Sequence, residues 1–211
     1  MTLCSKAQKR FKRLPKRVRD YFFQLDKRCQ SYRIKLVLGS GESVNFGGGR
    51  CGGYFDDANR VLKVAIGGSV ESLLSVAIHE SAHMTKQWQN PRSIWQDYKI
   101  YNGYNRFFRY ISGERIYNKT QAIHSAISLE KECEQFAIKE IKRKWLDYIN
   151  LEKYIANSNA YLFSYLHMAE KRKWPAKTPC EGKFRAHCPT KLLKSYKKIP
   201  ERLKLAFDRW L

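Results

Sequence analysis

The stretch Arg60–His83, RVLKVAIGGSVESLLSVAIHESAH, decides the reading of this chain. Arg60–Ile66 is rich in apolar and β-branched residues and predicts a strand, which Gly67-Gly68-Ser69 ends. Ser69 stands where a helix N-cap is wanted, ahead of an apolar run through Leu73, Leu74, Val76, Ala77 and Ile78. That helix carries His79-Glu80-Ser81-Ala82-His83. Histidines four residues apart share a helix face, one turn separated, so both imidazoles can reach a single ion. Glu80 can then reach a water held in the ion's open position and take its proton. Five histidines in one chain can give this spacing by chance, so the residues downstream matter.

A hydrolytic zinc site takes a third protein ligand and keeps a fourth position for water. Thr120 opens a helix to about Tyr148 that contains Glu130, Glu132 and Glu134. Glu132 shares a mostly wet stripe with Ser125, Ser128, Gln135 and Lys139. Glu130 and Glu134 share theirs with Ile123, Ala126, Ile127, Cys133 and Ala137, which should face the core. Two carboxylates there call for cations or donors, because burying them unpaired is expensive. Zn2+ held by His79, His83 and Glu130, with Glu134 accepting from a ligand histidine's other nitrogen, satisfies both. The competing arrangement is a pair of edge carboxylates bridged to lysines such as Lys131. A residue beside the metal must also stabilise the tetrahedral oxyanion, and His124, Tyr161, Tyr165 and His167 are unranked candidates.

The net charge of +22 favours a polyanionic partner such as nucleic acid, an acidic protein or a membrane surface. Lysine and arginine gather at both ends, Lys6–Arg19 and Lys171–Lys204. No apolar run is long enough to span a bilayer or to read as a signal peptide. Six cysteines without a CxxC pair then read as free thiols in a reducing cytoplasm.

Three segments are expected: a basic amphipathic helix over 1–30, a core domain over 31–174, and a basic extension over 175–211. Pro15 opens the first helix's stripe of Val18, Phe22 and Leu25. Ser31–Leu38 alternates like a strand. Gly47–Gly53 reads as a flexible turn, and Tyr54–Asn59 as another. Asn90-Pro91 marks the exit of the histidine helix, and residues 92–118 read as an aromatic helix plus a loop. Asn150 starts a helix whose apolar stripe includes Tyr154, Ala156, Tyr161, Leu162 and Tyr165. Pro175–Pro200 reads as basic turns, and Glu201–Trp210 as a closing helix.

HESAH followed by Glu130-Lys131-Glu132-Cys133-Glu134-Gln135-Phe136-Ala137 resembles the gluzincin class of zinc metallopeptidases. There a glutamate on a second helix completes HExxH, often within E-x-x-A-D-x-F-A. The resemblance places Glu130 on the ligand, Glu134 on the acid behind it and Phe136-Ala137 on the packing pair. A register in which the ligand directly precedes the Phe-Ala segment makes Glu134 the ligand instead. Cys133 and Glu134 depart from the usual alanine and aspartate. GGYFDDANRVLKVAIGG is similar to the strand before the active helix in SprT-like and ImmA/IrrE-like peptidases, whose edge strand pairs with substrate. The chain as a whole, small and very basic with the late stretch NSNAYLFSYLHMAEKRKWP, is similar to uncharacterised HExxH proteins of bacteriophages, which implies a host cytoplasm.

The resemblance covers roughly residues 50–140. It implies an α+β fold, a mainly helical zincin-like minimal metallopeptidase core with a small sheet before the active helix. The activity expected is zinc-dependent peptide hydrolysis with Glu80 as general base, on proteins that include nucleic-acid-associated ones. Two other classes stay open: a basic nucleic-acid-binding protein with a structural or degenerate metal site, and a phage factor acting on a host protein.

Overall fold

The strand expected before the histidine helix forms over Val61–Ala65, inside a small sheet. The computed structural model describes residues 1–46, 49–89, 98–174 and 182–209, with the backbone alone for 86–89 and 98–101. It is α+β and dominated by helices. The chain divides into two units, Met1–Asn90 with Asp147–Ile149, and Pro91–Leu146 with Asn150–Leu211.

The first unit runs β1 (Thr2–Leu3), α1 (Ser5–Lys12), α2 (Lys16–Ser31), β2 (Lys35–Gly39), β3 (Val44–Phe46), β4 (Gly49–Cys51), β5 (Gly53–Asp56), β6 (Val61–Ala65) and α3 (Val70–Gln89). Its main sheet has the order β1-β2-β6-β5, parallel except for the β5–β6 pair, and β3 and β4 form a separate hairpin. Period-two alternation turns Leu36, Leu38, Leu62 and Val64 to the buried face and leaves Lys35 exposed. On α2, Val18, Phe22, Leu25 and Cys29 recur at helical intervals and are fully buried. The Cys29 thiol donates to the Met84 sulfur of α3 at 3.7 Å. Ser69 caps α3 as expected, its Oγ accepting from the Ser72 N–H at 3.1 Å.

Several expectations are corrected here. The first thirty residues form two helices, because Pro15 lacks an N–H and pushes Leu14 out of helical geometry. The strand expected from Ser31 starts at Lys35; Ser31 closes α2, and Arg33 turns the chain in left-handed geometry (φ 57°). The stretch expected as a flexible turn supplies β4 and the start of β5, with residues 47 and 48 outside the described set. The following turn is shorter than expected, since Tyr54–Asp56 belongs to β5. The Asp56 carboxylate sets that turn by accepting the Asn59 N–H at 2.9 Å. The helix exit expected at Asn90-Pro91 lies outside the described residues.

The second unit is helical: α4 (Tyr98–Ile111), α5 (Lys119–Lys144), α6 (Leu151–Lys171), α7 (Gly182–Arg185) and α8 (Glu201–Asp208). Asn118 and Asn150 cap α5 and α6, accepting from Gln121 N–H at 3.2 Å and Lys153 N–H at 2.9 Å. A core of Phe107, Ala122, Ala126, Phe163, Phe184, Leu203 and Phe207 joins them. α7 went unforeseen in the basic tail, where Phe184 is a lone aromatic among cations and too short a signal for a helix. Gly103 brings α4 tight against α5: a Cβ there would meet the Ser125 Cβ at 2.8 Å. Asn159, fully buried on α6, clamps the tail. Its amide donates to Pro189 O at 2.8 Å and Lys191 O at 3.0 Å, and its oxygen accepts from Leu193 N–H at 3.2 Å and from the Tyr196 hydroxyl.

Asn159→Ala removes the partner of four groups on that segment, the buried Tyr196 hydroxyl among them. It should destabilise the fold by about 3 kcal/mol in chemical denaturation. A second expectation concerns His167, fully buried between α6 and α8, whose ring nitrogens have no hydrogen-bond partner among the described residues. Burial lowers its pKa, outweighing the opposing pull of Asp208 at 4.0 Å. The folded state therefore prefers neutral imidazole. This contribution is complete above the ordinary histidine value near ~6.5 and is lost as pH falls below it toward the depressed one. Denaturation midpoints across that window should fall with acid in the wild type and fall less in His167→Leu.

Candidate metal centre

The first unit presents the two histidines. The ring nitrogens Nε2 of His79 and His83 lie 3.2 Å apart, and the residues are 9% and 7% exposed. Two imidazoles on one tetrahedral zinc, with Zn–N near ~2.05 Å, place their nitrogens about 3.3 Å apart, so the pair fits such an ion. Ser81 and Thr85 donate back to the helix carbonyls of Ile78 and Ser81 at 2.9 and 2.8 Å, which satisfies both hydroxyls within α3.

Glu80 is half-buried and lies against β5. A Cβ on Gly53 would sit 3.4 Å from Glu80 Cγ and 2.7 Å from both Val76 Cγ1 and the Lys63 carbonyl oxygen. Glycine at that point thus permits the close approach of helix and strand that seats Glu80. Burial, and then the Glu80 charge, push the nearby Cys51 thiol up to about 11. β6, which leads into α3, is internal; the edge of the sheet beside Glu80 is β5.

The second unit presents the carboxylates. Glu130 and Glu134 on α5 are 2% and 4% exposed, as their core-facing stripe requires. Tyr165 OH donates to Glu130 Oε1 at 2.9 Å, and Tyr104 OH donates to the same oxygen at 3.4 Å. Tyr165 OH also pairs with Tyr161 OH at 2.9 Å. Burial first, and then the Glu130 charge, hold the Tyr165 phenol far above its ordinary pKa and so protonated. Glu134 Oε2 accepts from Tyr154 OH at 2.8 Å and from Ser158 Oγ at 2.6 Å. Burial first, and then the Glu134 charge, raise the Tyr154 phenol well above its ordinary value.

Among the described residues, His79, His83 and Glu130 form a group that could hold a metal ion. The other sequence-expected residues fall as follows. Glu134 is seated on α6 hydroxyls, one turn from Glu130. Tyr161 and Tyr165 belong to the Glu130 network. His124 is exposed, its Nδ1 3.5 Å from Ser128 Oγ. His167 is buried against Phe207 of α8. Lys131 reaches the Lys194 carbonyl.

Sequence reasoning missed Tyr104, Tyr154 and Ser158 as partners of these carboxylates. The signal was present on α6: Tyr154, Ser158, Tyr161 and Tyr165 recur at intervals of four, three and four, a stripe of hydroxyls on one helix face.

Comparison with protein-family models, with curated proteins and with solved structures gave no match. No described helix is long and apolar enough to cross a membrane.

Gly53→Ala should test how Glu80 is seated. The added methyl meets the Lys63 backbone and Val76 together, so it should cost about 1–3 kcal/mol in denaturant unfolding. Gly68→Ala, whose Cβ would meet Ser72 no closer than 3.7 Å, should cost clearly less.

Proposed function

We propose that this protein is a zinc-dependent metallopeptidase of zincin-like type, with His79, His83 and Glu130 as metal ligands. The observation that carries the reading is the His79–His83–Glu130 group, with Glu80 directly after the first histidine. Zinc bound there would supply a Lewis acid and lower the pKa of a coordinated water to near neutrality. Glu80, through its carboxylate, takes the proton of the attacking water and returns it to the leaving amide nitrogen as the C–O bond forms and the C–N bond breaks. Extended substrate adding to the β5 edge would lie beside Glu80, with main-chain hydrogen bonds fixing its direction. The charge of +22 supports substrates carried on, or accompanied by, polyanions such as nucleic acid. Cys4, Cys29, Cys51, Cys133 and Cys188 form no disulfide among the described residues, consistent with a reducing cytoplasm.

A second reading, a nucleic-acid-binding protein whose metal site is structural, draws on the exposed cations Lys6, Lys9, Lys12 and Arg13 at α1. It differs by retaining metal and salt-sensitive nucleic-acid binding without cleaving any protein.

Metal content by mass spectrometry, beside cleavage of an unfolded protein such as casein, tests the proposal. Wild type should carry one zinc per chain, and His83→Ala and Glu130→Ala should lose it. Glu80→Gln should keep the metal while cleavage falls by roughly 10²–10⁴-fold. Retention in Glu130→Ala with loss in Glu134→Ala moves the ligand one turn. Wild type that takes up no zinc even when supplied overturns the proposal.

A further inference from the structure

We propose that Tyr165, itself held by Tyr161, is a positioning residue that fixes the Glu130 carboxylate for metal binding. The inference rests on the reading of Glu130 as a ligand, and its argument is the order of the hydrogen bonds. A carboxylate only accepts, so the single Tyr165 hydroxyl proton goes to Glu130 Oε1 at 2.9 Å. The Tyr161–Tyr165 contact at 2.9 Å, read alone, has no fixed direction. With the Tyr165 proton committed, Tyr161 must donate and Tyr165 accept. The chain therefore runs one way, from half-buried Tyr161 through fully buried Tyr165 to the carboxylate.

Such a chain does two things. It holds one carboxylate oxygen in place, and it polarises the Tyr165 hydroxyl toward that oxygen. Tyr104, on α4, reaches the same oxygen at the longer distance of 3.4 Å and is the weaker contributor. Metal ligands held by hydrogen bonds from behind bind with less reorganisation, and loss of such a partner commonly weakens metal affinity roughly 10–100-fold.

The molecule contains its own control. Tyr154 and Ser158 serve Glu134, at 2.8 and 2.6 Å, in the way Tyr165 serves Glu130, yet Glu134 is outside the group that could hold the ion. If the hydroxyls merely satisfy buried acids, removing either phenol should lower stability alike and leave the metal alone. If Tyr165 positions a ligand, only its removal should reach the metal.

The experiment is zinc affinity of the full chain by chelator competition, with the visible spectrum of the Co2+-substituted protein as a second readout. Tyr165→Phe should weaken zinc roughly 10–100-fold and shift the Co2+ bands, and Tyr161→Phe should weaken it about fivefold. The double variant should be no weaker than Tyr165→Phe alone, because Tyr161 acts through Tyr165. Tyr154→Phe should stay within about twofold of wild type while losing thermal stability. Should Tyr165→Phe fail to fold, the half-buried Tyr161→Phe decides: weakened zinc supports the inference, and unchanged zinc overturns it. Wild-type zinc affinity in a folded Tyr165→Phe also overturns it while leaving the metallopeptidase reading intact. Absence of zinc binding in wild type removes both.

Discussion

Two carboxylates one turn apart on the buried side of α5 set the terms for the helical unit. A bare buried carboxylate is costly enough that it is found with donors or a cation, or is protonated. Here α6 answers with hydroxyls at matching spacing. Tyr154 and Ser158 meet Glu134, and Tyr165, backed by Tyr161, meets Glu130. The pairing fixes the register of α6 on α5, since a shift of one residue carries every hydroxyl off its partner. Apolar packing alone specifies register less sharply, because Leu, Ala and Ile contacts have no direction. Gly103 adds a second constraint, letting α4 close on α5 at Ser125 so that Tyr104 also reaches Glu130.

The strand-and-helix unit depends on close approach rather than on polar matching. Its sheet buries one face through Leu36, Leu38, Leu62 and Val64, and α3 covers the β5 end where glycine replaces a side chain. The absence of a side chain at Gly53 is what brings Glu80 to the strand. β5 is one of the two outer strands of that sheet, so Glu80 lies beside a sheet edge.

Legibility from the sequence follows the range of the forces involved. Local signals were readable: the Ser69 cap, the strand before it, the α5 stripe and Asn150 as the start of α6 all act within a few residues. Glu130 and Glu134 could be assigned to the core because helical periodicity puts them beside Ile127, Cys133 and Ala137. What met them could not be read, since Tyr154, Ser158 and Tyr165 lie 20 to 35 residues away and Tyr104 lies 26 residues upstream. A tyrosine is apolar in its ring and polar at its tip, and a pattern scored on the ring hides the tip. β4 and β5 were missed because glycine suppresses strand propensity, while sheet pairing and helix contact overrode it.

The two carboxylates look equivalent in sequence and nearly so in burial, but their donors differ. Glu134 Oε2 takes two hydroxyls at 2.6 and 2.8 Å, both from α6. Glu130 Oε1 takes one phenol at 2.9 Å and another at 3.4 Å, from two different helices. Charge-assisted O–H···O bonds are strongest near ~2.6 Å and weaken as they lengthen. The carboxylate with the longer of these phenol contacts is the one that groups with His79 and His83.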